Sequence, residues 1–283
     1  MTASISQLLD LELLDNNLFR SRHHRENFRK TLFGGQVLSQ ALIAAYNTVE
    51  NRLPHSLHAY FLRPGTSESP VIYDVETVRD GRSLTSRRVV ARQNGRPIFN
   101  MSTSFHSEEP GFFHQPAMPS SIPMPEELLK TCSPSSAEDH LPPHDCVPNQ
   151  AASPFELLPI DGNPFTSQES LAPTTYFWMR STEPLPEAPI YHYCALAFAS
   201  DLGLLATALL PHKATIFDKG LFAASVDHAV WFHSVNFKAD DWLLCESHSP
   251  WAGSSRGFAR ASVFTRNGTL VASTAQEGII RKV

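Results

Sequence analysis

The stretch Arg87-Arg88-Val89-Val90-Ala91-Arg92-Gln93-Asn94-Gly95-Arg96-Pro97-Ile98-Phe99-Asn100-Met101-Ser102-Thr103-Ser104-Phe105 decides the fold. Asn-Gly readily takes positive φ at both central positions of a two-residue turn, so it predicts a hairpin with strands over 87–92 and 96–105. The signal returns 173 residues later, where Asn267-Gly268 separates Phe258–Arg266 from Leu270–Gln276, and Arg260 stands at the same offset from Arg87. A shorter echo sets His58-Ala59-Tyr60-Phe61 against His228-Ala229-Val230-Trp231, 170 residues apart. Two hairpins flanked by the same order of elements imply an internal duplication.

Upstream of the first hairpin, Gly34 to Ala45 predicts a helix, because Val37, Leu38, Ala41, Leu42 and Ala45 recur at spacings of three and four. Val71, Tyr73, Val75 and Thr77 alternate as a strand. In the second half, Ser200 to Leu210 predicts a helix with Ser200 as N-cap and Pro211 as its stop. Strands are then expected over Val226–Phe232 and Trp242–Ser247. A helix followed by long antiparallel strands is an α+β pattern in which the sheet wraps the helix, as in a hotdog. Two tandem units cover each other's open edge, which describes a double hotdog. Sixteen of the 22 prolines fall between Pro110 and Pro189. The expected organisation is therefore a first repeat over residues 1–110, a proline-rich linker over 111–170 and a second repeat over 171–283.

Composition narrows the function. Hydrophobic residues make up 42% and charged residues 18% of the 283, enough for a sizeable core. A formal net charge of −5 argues against a nucleic-acid partner, whose phosphates need a basic footprint. No run of about 18 apolar residues is present, so no membrane span is expected. Cys132, Cys146, Cys194 and Cys245 lack the spacing of a zinc site or a disulfide framework and are read as reduced thiols. The 13 histidines show no metal-ligand spacing, so neither metal nor cofactor is expected.

Three segments can carry chemistry. In Ser200-Asp201-Leu202-Gly203 the carboxylate is read at a helix start, where backbone N–H groups can meet an oxyanion while the acid holds a water. In Ala224-Ser225-Val226-Asp227-His228, strand alternation puts Ser225 and Asp227 on one face and turns His228 away, which argues against a Ser–His–Asp triad. Gly253-Ser254-Ser255-Arg256-Gly257 lacks the strand-to-helix setting of a nucleophile elbow. In Val271-Ala272-Ser273-Thr274-Ala275-Gln276-Glu277-Gly278, a Gln ends a strand of small residues, and a buried amide there needs several partners.

In order, Phe33-Gly34-Gly35-Gln36, His58-Ala59-Tyr60-Phe61-Leu62-Arg63-Pro64-Gly65, Ser200-Asp201, Leu210-Pro211-His212, Asp227-His228, Trp231-Phe232-His233, Ser255-Arg256-Gly257 and Ala275-Gln276-Glu277-Gly278 run through both halves. The chain resembles acyl-CoA thioesterase II, the bacterial TesB-type enzymes and their peroxisomal relatives. The resemblance implies a double hotdog that hydrolyses medium- to long-chain acyl-CoA to fatty acid and CoA. By motif match, the family's water-positioning acid, hydroxyl and amide fall on Asp201, Ser225 and Gln276; the hydroxyl is Thr in some bacterial members and Ser here. The resemblance also carries an expectation of a homodimer or homotetramer.

Two other readings stay open. A hotdog hydratase or dehydratase would use a histidine base, for which His58 is the candidate, with His228 read as its counterpart and a structural role favoured for His58. A non-catalytic acyl-CoA-binding protein would bind without turnover. Arg63, Arg87, Arg88, Arg256 and Arg260 are candidate contacts for CoA phosphates and are not assigned to the site. At offset 173, Thr103 stands where Gln276 does, which predicts one active site per chain. Ile280-Arg281-Lys282-Val283 is not a Ser-Lys-Leu type address, and a bacterial cytoplasm is the expected location.

Overall fold

A computed structural model describes residues 3–131, 153–160, 163–167 and 169–282. Cys132 and Cys146 lie outside the described residues, while Cys194 and Cys245 are free and buried. The chain forms one antiparallel sheet whose inner side carries the long central helices, while a short helix near Leu128 packs on the outer face. In the first half these elements are α1 (Ile5–Leu9), β1 (Leu11–Asp15), β2 (Leu18–Ser21), α2 (Gly34–Tyr46), β3 (Leu53–Phe61), β4 (Ile72–Asp80), β5 (Leu84–Gln93) and β6 (Arg96–His106). The span expected as a linker contributes α3 (Pro125–Thr131) and β7 (Phe155–Pro159). The second half holds β8 (Thr174–Ser181), α4 (Pro189–Ser200), α5 (Leu204–Thr207), β9 (Leu221–Ser225), β10 (Asp227–Phe232), β11 (Leu243–Gly253), β12 (Arg256–Thr265) and β13 (Leu270–Lys282).

The sheet runs β1-β2-β4-β5-β6-β3-β10-β13-β12-β11-β8-β7, with β9 paired to the far end of β13. The run β4-β5-β6-β3 of the first repeat is mirrored by β11-β12-β13-β10 of the second, and β3 joins β10 with Ala59 opposite His228. The edges that each repeat would otherwise expose are therefore hydrogen-bonded to one another. Helices α2 and α4 pack together inside this wrap, and eleven of the thirteen residues of α2 are buried. Within α2, Gln40 donates to Leu8 O at 2.7 Å and accepts from the Tyr73 hydroxyl at 2.7 Å.

The two hairpins differ in a way that their matching Asn-Gly pairs conceal. Asn94 and Gly95 both have positive φ, 48° and 75°, and make a two-residue turn between Gln93 and Arg96. In the second hairpin, Thr265 N–H bonds Thr269 O, leaving Arg266-Asn267-Gly268 as a three-residue turn with only Gly268 at positive φ. The extra residue lies before the glycine, so the 173-residue offset holds on the strand after the turn and slips by one on the strand before it. Ile98 and Val271, 173 residues apart, are the bulged residues of β6 and β13. By contrast, buried Arg87 and exposed Arg260 face opposite sides of the sheet and are not equivalent; Ala259 takes the inward place of Arg87. The 170-residue echo fails for the same reason, because His58 points outward and His228 inward.

The second helix lies earlier than expected. Ser200 is the last residue of α4 rather than an N-cap, and its hydroxyl donates to Ala197 O at 2.9 Å. Pro189 to Ser200 is apolar nearly all round, so it has no amphipathic stripe to announce it. Within Pro189–His212 an 18-residue run with a mean hydropathy of 1.7 is apolar enough to cross a membrane, but 83% of that run is buried within the protein. The helix also breaks at Asp201–Gly203, where Gly203 takes φ 80°, so this is a core element in two pieces.

Candidate active site

Asp201 is the C-cap of α4, not part of a helix start. The helix start that meets it belongs to the other repeat: the Gly35 N–H at the head of α2 lies by the Asp201 carboxylate and favours its ionised form. Glycine is required for this approach. A Cβ on Gly34 would lie 2.7 Å from Asp201 Oδ2 and 2.9 Å from the Phe61 ring, and one on Gly35 would lie 2.4 Å from Phe198 O. The carboxylate thus sits between the negative end of α4 and the positive end of α2.

The other two expected residues come to the same carboxylate. Gln276, on the inward face of β13 and 1% exposed, donates from Nε2 to Asp201 Oδ1 at 2.5 Å. Ser225, the last residue of β9, donates from Oγ to the same oxygen at 3.4 Å. Asp201 retains some exposure, yet desolvation by the surrounding protein raises its pKa to about 6 despite the hydrogen bonds from Gln276, Gly35 and Ser225 that oppose the shift. A carboxylate so poised is ionised near neutral pH and basic enough to take a proton. The Oε1 of Gln276 is buried and has no protein partner.

Strand alternation does not carry across Val226, because β9 and β10 are separate strands with Val226 between them. Asp227 accepts the Glu277 N–H at 2.7 Å, and His228 points inward, with Nδ1 3.1 Å from Gln276 Nε2. Ser225 and His228 therefore approach the site from two sides, contrary to the expectation that His228 turns away. No Ser–His contact forms between them, since Ser225 bonds Asp201 and His228 bonds Gln276 and Ser200. His58 lies on the outer face and packs edge-on against Trp231 at 5.2 Å. Arg87 is buried and engaged with Asp80 and Thr48, which removes it from the candidate phosphate contacts. Sequence reasoning misses the Gly35 N–H and His228; the paired glycines opening α2 are the available signal for the first.

Comparisons with known proteins place the chain in a family. Residues 23–106 match the model of the acyl-CoA thioesterase N-terminal domain, and residues 129–280 match that of the C-terminal domain. The chain belongs to the acyl-CoA thioesterase family. Acyl-coenzyme A thioesterase 8 of Homo sapiens is 40% identical, the match covering 98% of this chain and 88% of that protein. Acyl-CoA thioesterase 2 of Haemophilus influenzae is 37% identical over 98% of this chain and 97% of its own. The crystal structure of an acyl-CoA thioesterase II from Mycobacterium marinum superposes with a TM-score of 0.78 at 36% identity, covering 99% of both chains. The family's double hotdog architecture is the one described above.

Proposed function

We propose that this family member hydrolyses medium- to long-chain acyl-CoA to free fatty acid and CoA, with Asp201, Ser225 and Gln276 as its catalytic residues. The observation that carries the reading is the convergence on Asp201 of Gln276, Ser225 and the head of α2 beside the unpartnered Gln276 Oε1. That oxygen accepts a hydrogen bond from a water that also donates to Asp201. As the water oxygen attacks the thioester carbonyl, its proton passes to Asp201, and the carbonyl oxygen becomes an oxyanion near the positive end of α2. Collapse breaks the C–S bond, and the departing thiolate takes the proton back from Asp201. A thioester needs no covalent intermediate for this, because its carbonyl is electrophilic and the thiolate leaves readily.

The test is thiol release from decanoyl- and palmitoyl-CoA, followed with a thiol reagent. Release that depends on Asp201 supports the reading; binding without release marks an acyl-CoA-binding protein. Loss of enoyl-CoA absorbance with no free thiol marks a hydratase. A series from hexanoyl- to stearoyl-CoA measures the acyl range. The reading includes a cytoplasmic location and a homodimer or homotetramer, tested by cell fractionation and by light scattering on a sizing column.

A further inference from the structure

Behind the Asp201 carboxylate runs a chain of hydrogen bonds to which the reaction above assigns no task. His228 Nε2 lies 2.8 Å from Ser200 Oγ, and Ser200 Oγ lies 2.9 Å from Ala197 O. On its other side, His228 Nδ1 lies 3.1 Å from Gln276 Nε2. The imidazole is 1% exposed, and burial lowers its pKa to about 3, so it is neutral, with one donor nitrogen and one acceptor nitrogen.

The assignment of those nitrogens follows from the neighbours. A carbonyl only accepts, so the single proton of Ser200 is directed to Ala197 O, and Ser200 Oγ must accept from His228 Nε2–H. Nδ1 is then the acceptor, and it takes one of the two protons on Gln276 Nε2. The other goes to Asp201 Oδ1 at 2.5 Å. With both amide protons committed, Gln276 Oε1 is turned to the one place where it has no protein partner. Reversing the amide would set Oε1 against a carboxylate oxygen and an imidazole lone pair, two acceptor–acceptor contacts in a low-dielectric site.

We propose that His228, braced by Ser200, is a positioning residue that fixes the orientation of the Gln276 carboxamide and thereby the place of the attacking water. The proposal rests on the roles given above to Asp201 and Gln276. The first repeat supplies a contrast: Leu57 lies directly opposite Thr103, and a repeat with no amide to orient has no histidine at that position.

Two measurements test it. In the full-length protein with ¹⁵N-labelled histidine, the ring nitrogens of His228 are expected to report the neutral Nε2–H tautomer from about pH 5 to pH 8. An Nδ1–H tautomer, or a titration inside that window, overturns the assignment. In steady-state assays, His228→Leu is expected to lower kcat on the order of 10- to 100-fold with KM within about twofold. It should also move the acid limb of the pH profile upward, because a loosened Gln276 donates less well to Asp201 and no longer holds its pKa down. His228→Gln, which can accept from Gln276 and donate to Ser200, recovers part of kcat. If His228→Leu does not fold, Ser200→Ala keeps the ring but removes its brace and should give the same upward shift with a loss of several-fold in kcat. An unmoved kcat and acid limb in the folded variant overturns the proposal. Were the wild-type protein to free no thiol, the functional reading would fail, while the tautomer would still decide the hydrogen-bond arrangement.

Discussion

The two repeats share a backbone plan and differ at each position to which the proposed reaction assigns a role. The inward residue of β13 is Gln276, and its counterpart on β6 is Thr103. Beside Gln276 stands His228; beside Thr103 stands Leu57. Across the hairpin from Gln276 is Ala259, which leaves space, whereas across from Thr103 is Arg87, which fills it. The Arg87 guanidinium lies 2.8 Å from Asp80, and its Nε donates to Thr48 Oγ1 at 2.8 Å. The helix ends differ as well. Helix α4 ends at Asp201 and α2 at Asn47, while α2 opens with Gly34-Gly35 and α4 with Pro189, which has no N–H to offer. The proposed site draws an acid from the end of α4, a donor from the start of α2, and an amide and a histidine from the strands of the second repeat. At the counterpart positions stand exposed Asn47, Pro189, Thr103 and Leu57, which offer none of these groups.

The sharpest way to break the comparison is to give the second repeat a neutral helix end. Asp201→Asn is expected to reduce kcat by about 10² to 10⁴ in the thiol-release assay. In the wild-type protein, activity should fall by half near pH 6 as the raised carboxyl takes up a proton. The same substitution should stabilise the fold. Well above pH 6, Asp201 is ionised in both states and the folded state bears the desolvation penalty; below about pH 3 it is protonated in both. Asparagine is therefore expected to gain about 3 kcal/mol in urea unfolding near pH 8 and nothing below about pH 3. Less severe is Gln276→Thr, which writes the first repeat's residue into the second. It removes the donor to Asp201 and the acceptor for the water, with an expected loss on the order of 100-fold and a rise in the pKa of the acid limb. The smallest effect belongs to the reverse exchange. Thr103→Gln meets Arg87, Leu57 and a helix without the acid, so kcat per chain should stay within about twofold, and active-site titration should still count one site.

Much of this plan is legible in the amino-acid sequence alone. The Asn-Gly turns, the helix at Gly34 with Gln36, Ser39 and Gln40 set between its apolar positions, and the alternating strand at Val71 all carry local periodicities, and each element forms where its pattern lies. The duplication is legible too, but its offset is not uniform. The type of turn is set by φ at Asn267, which the letters Asn-Gly do not specify, and the one-residue slip turns Arg260 outward. Helix α4 is hidden because a helix buried on all sides has no stripe, and the Leu-rich run after Asp201 offers a better imitation of one. That misplacement has a chemical cost: it credits Asp201 with its own helix's dipole, when the N–H that reaches it comes from α2. His228 escapes notice because Ser225 to Phe232 reads as one continuous strand, which the break at Val226 divides. Contacts between repeats arise from the joining of β3 to β10, and no local pattern in either half encodes them.

That joint also bears on how such a site can change. In an assembly of two identical hotdogs, every substitution is made twice, once at each symmetry-related position, so an arginine that plugged one site would plug the other. Here the β3–β10 ladder lies within one polypeptide, and each half mutates alone. Arg87 can close one half while Ala259 keeps the other open, and Pro189 can seal one helix start while Gly35 serves at the other. A single polypeptide is not bound by that symmetry, so an acid can stand at the end of α4 while an amide, Asn47, stands at the end of α2.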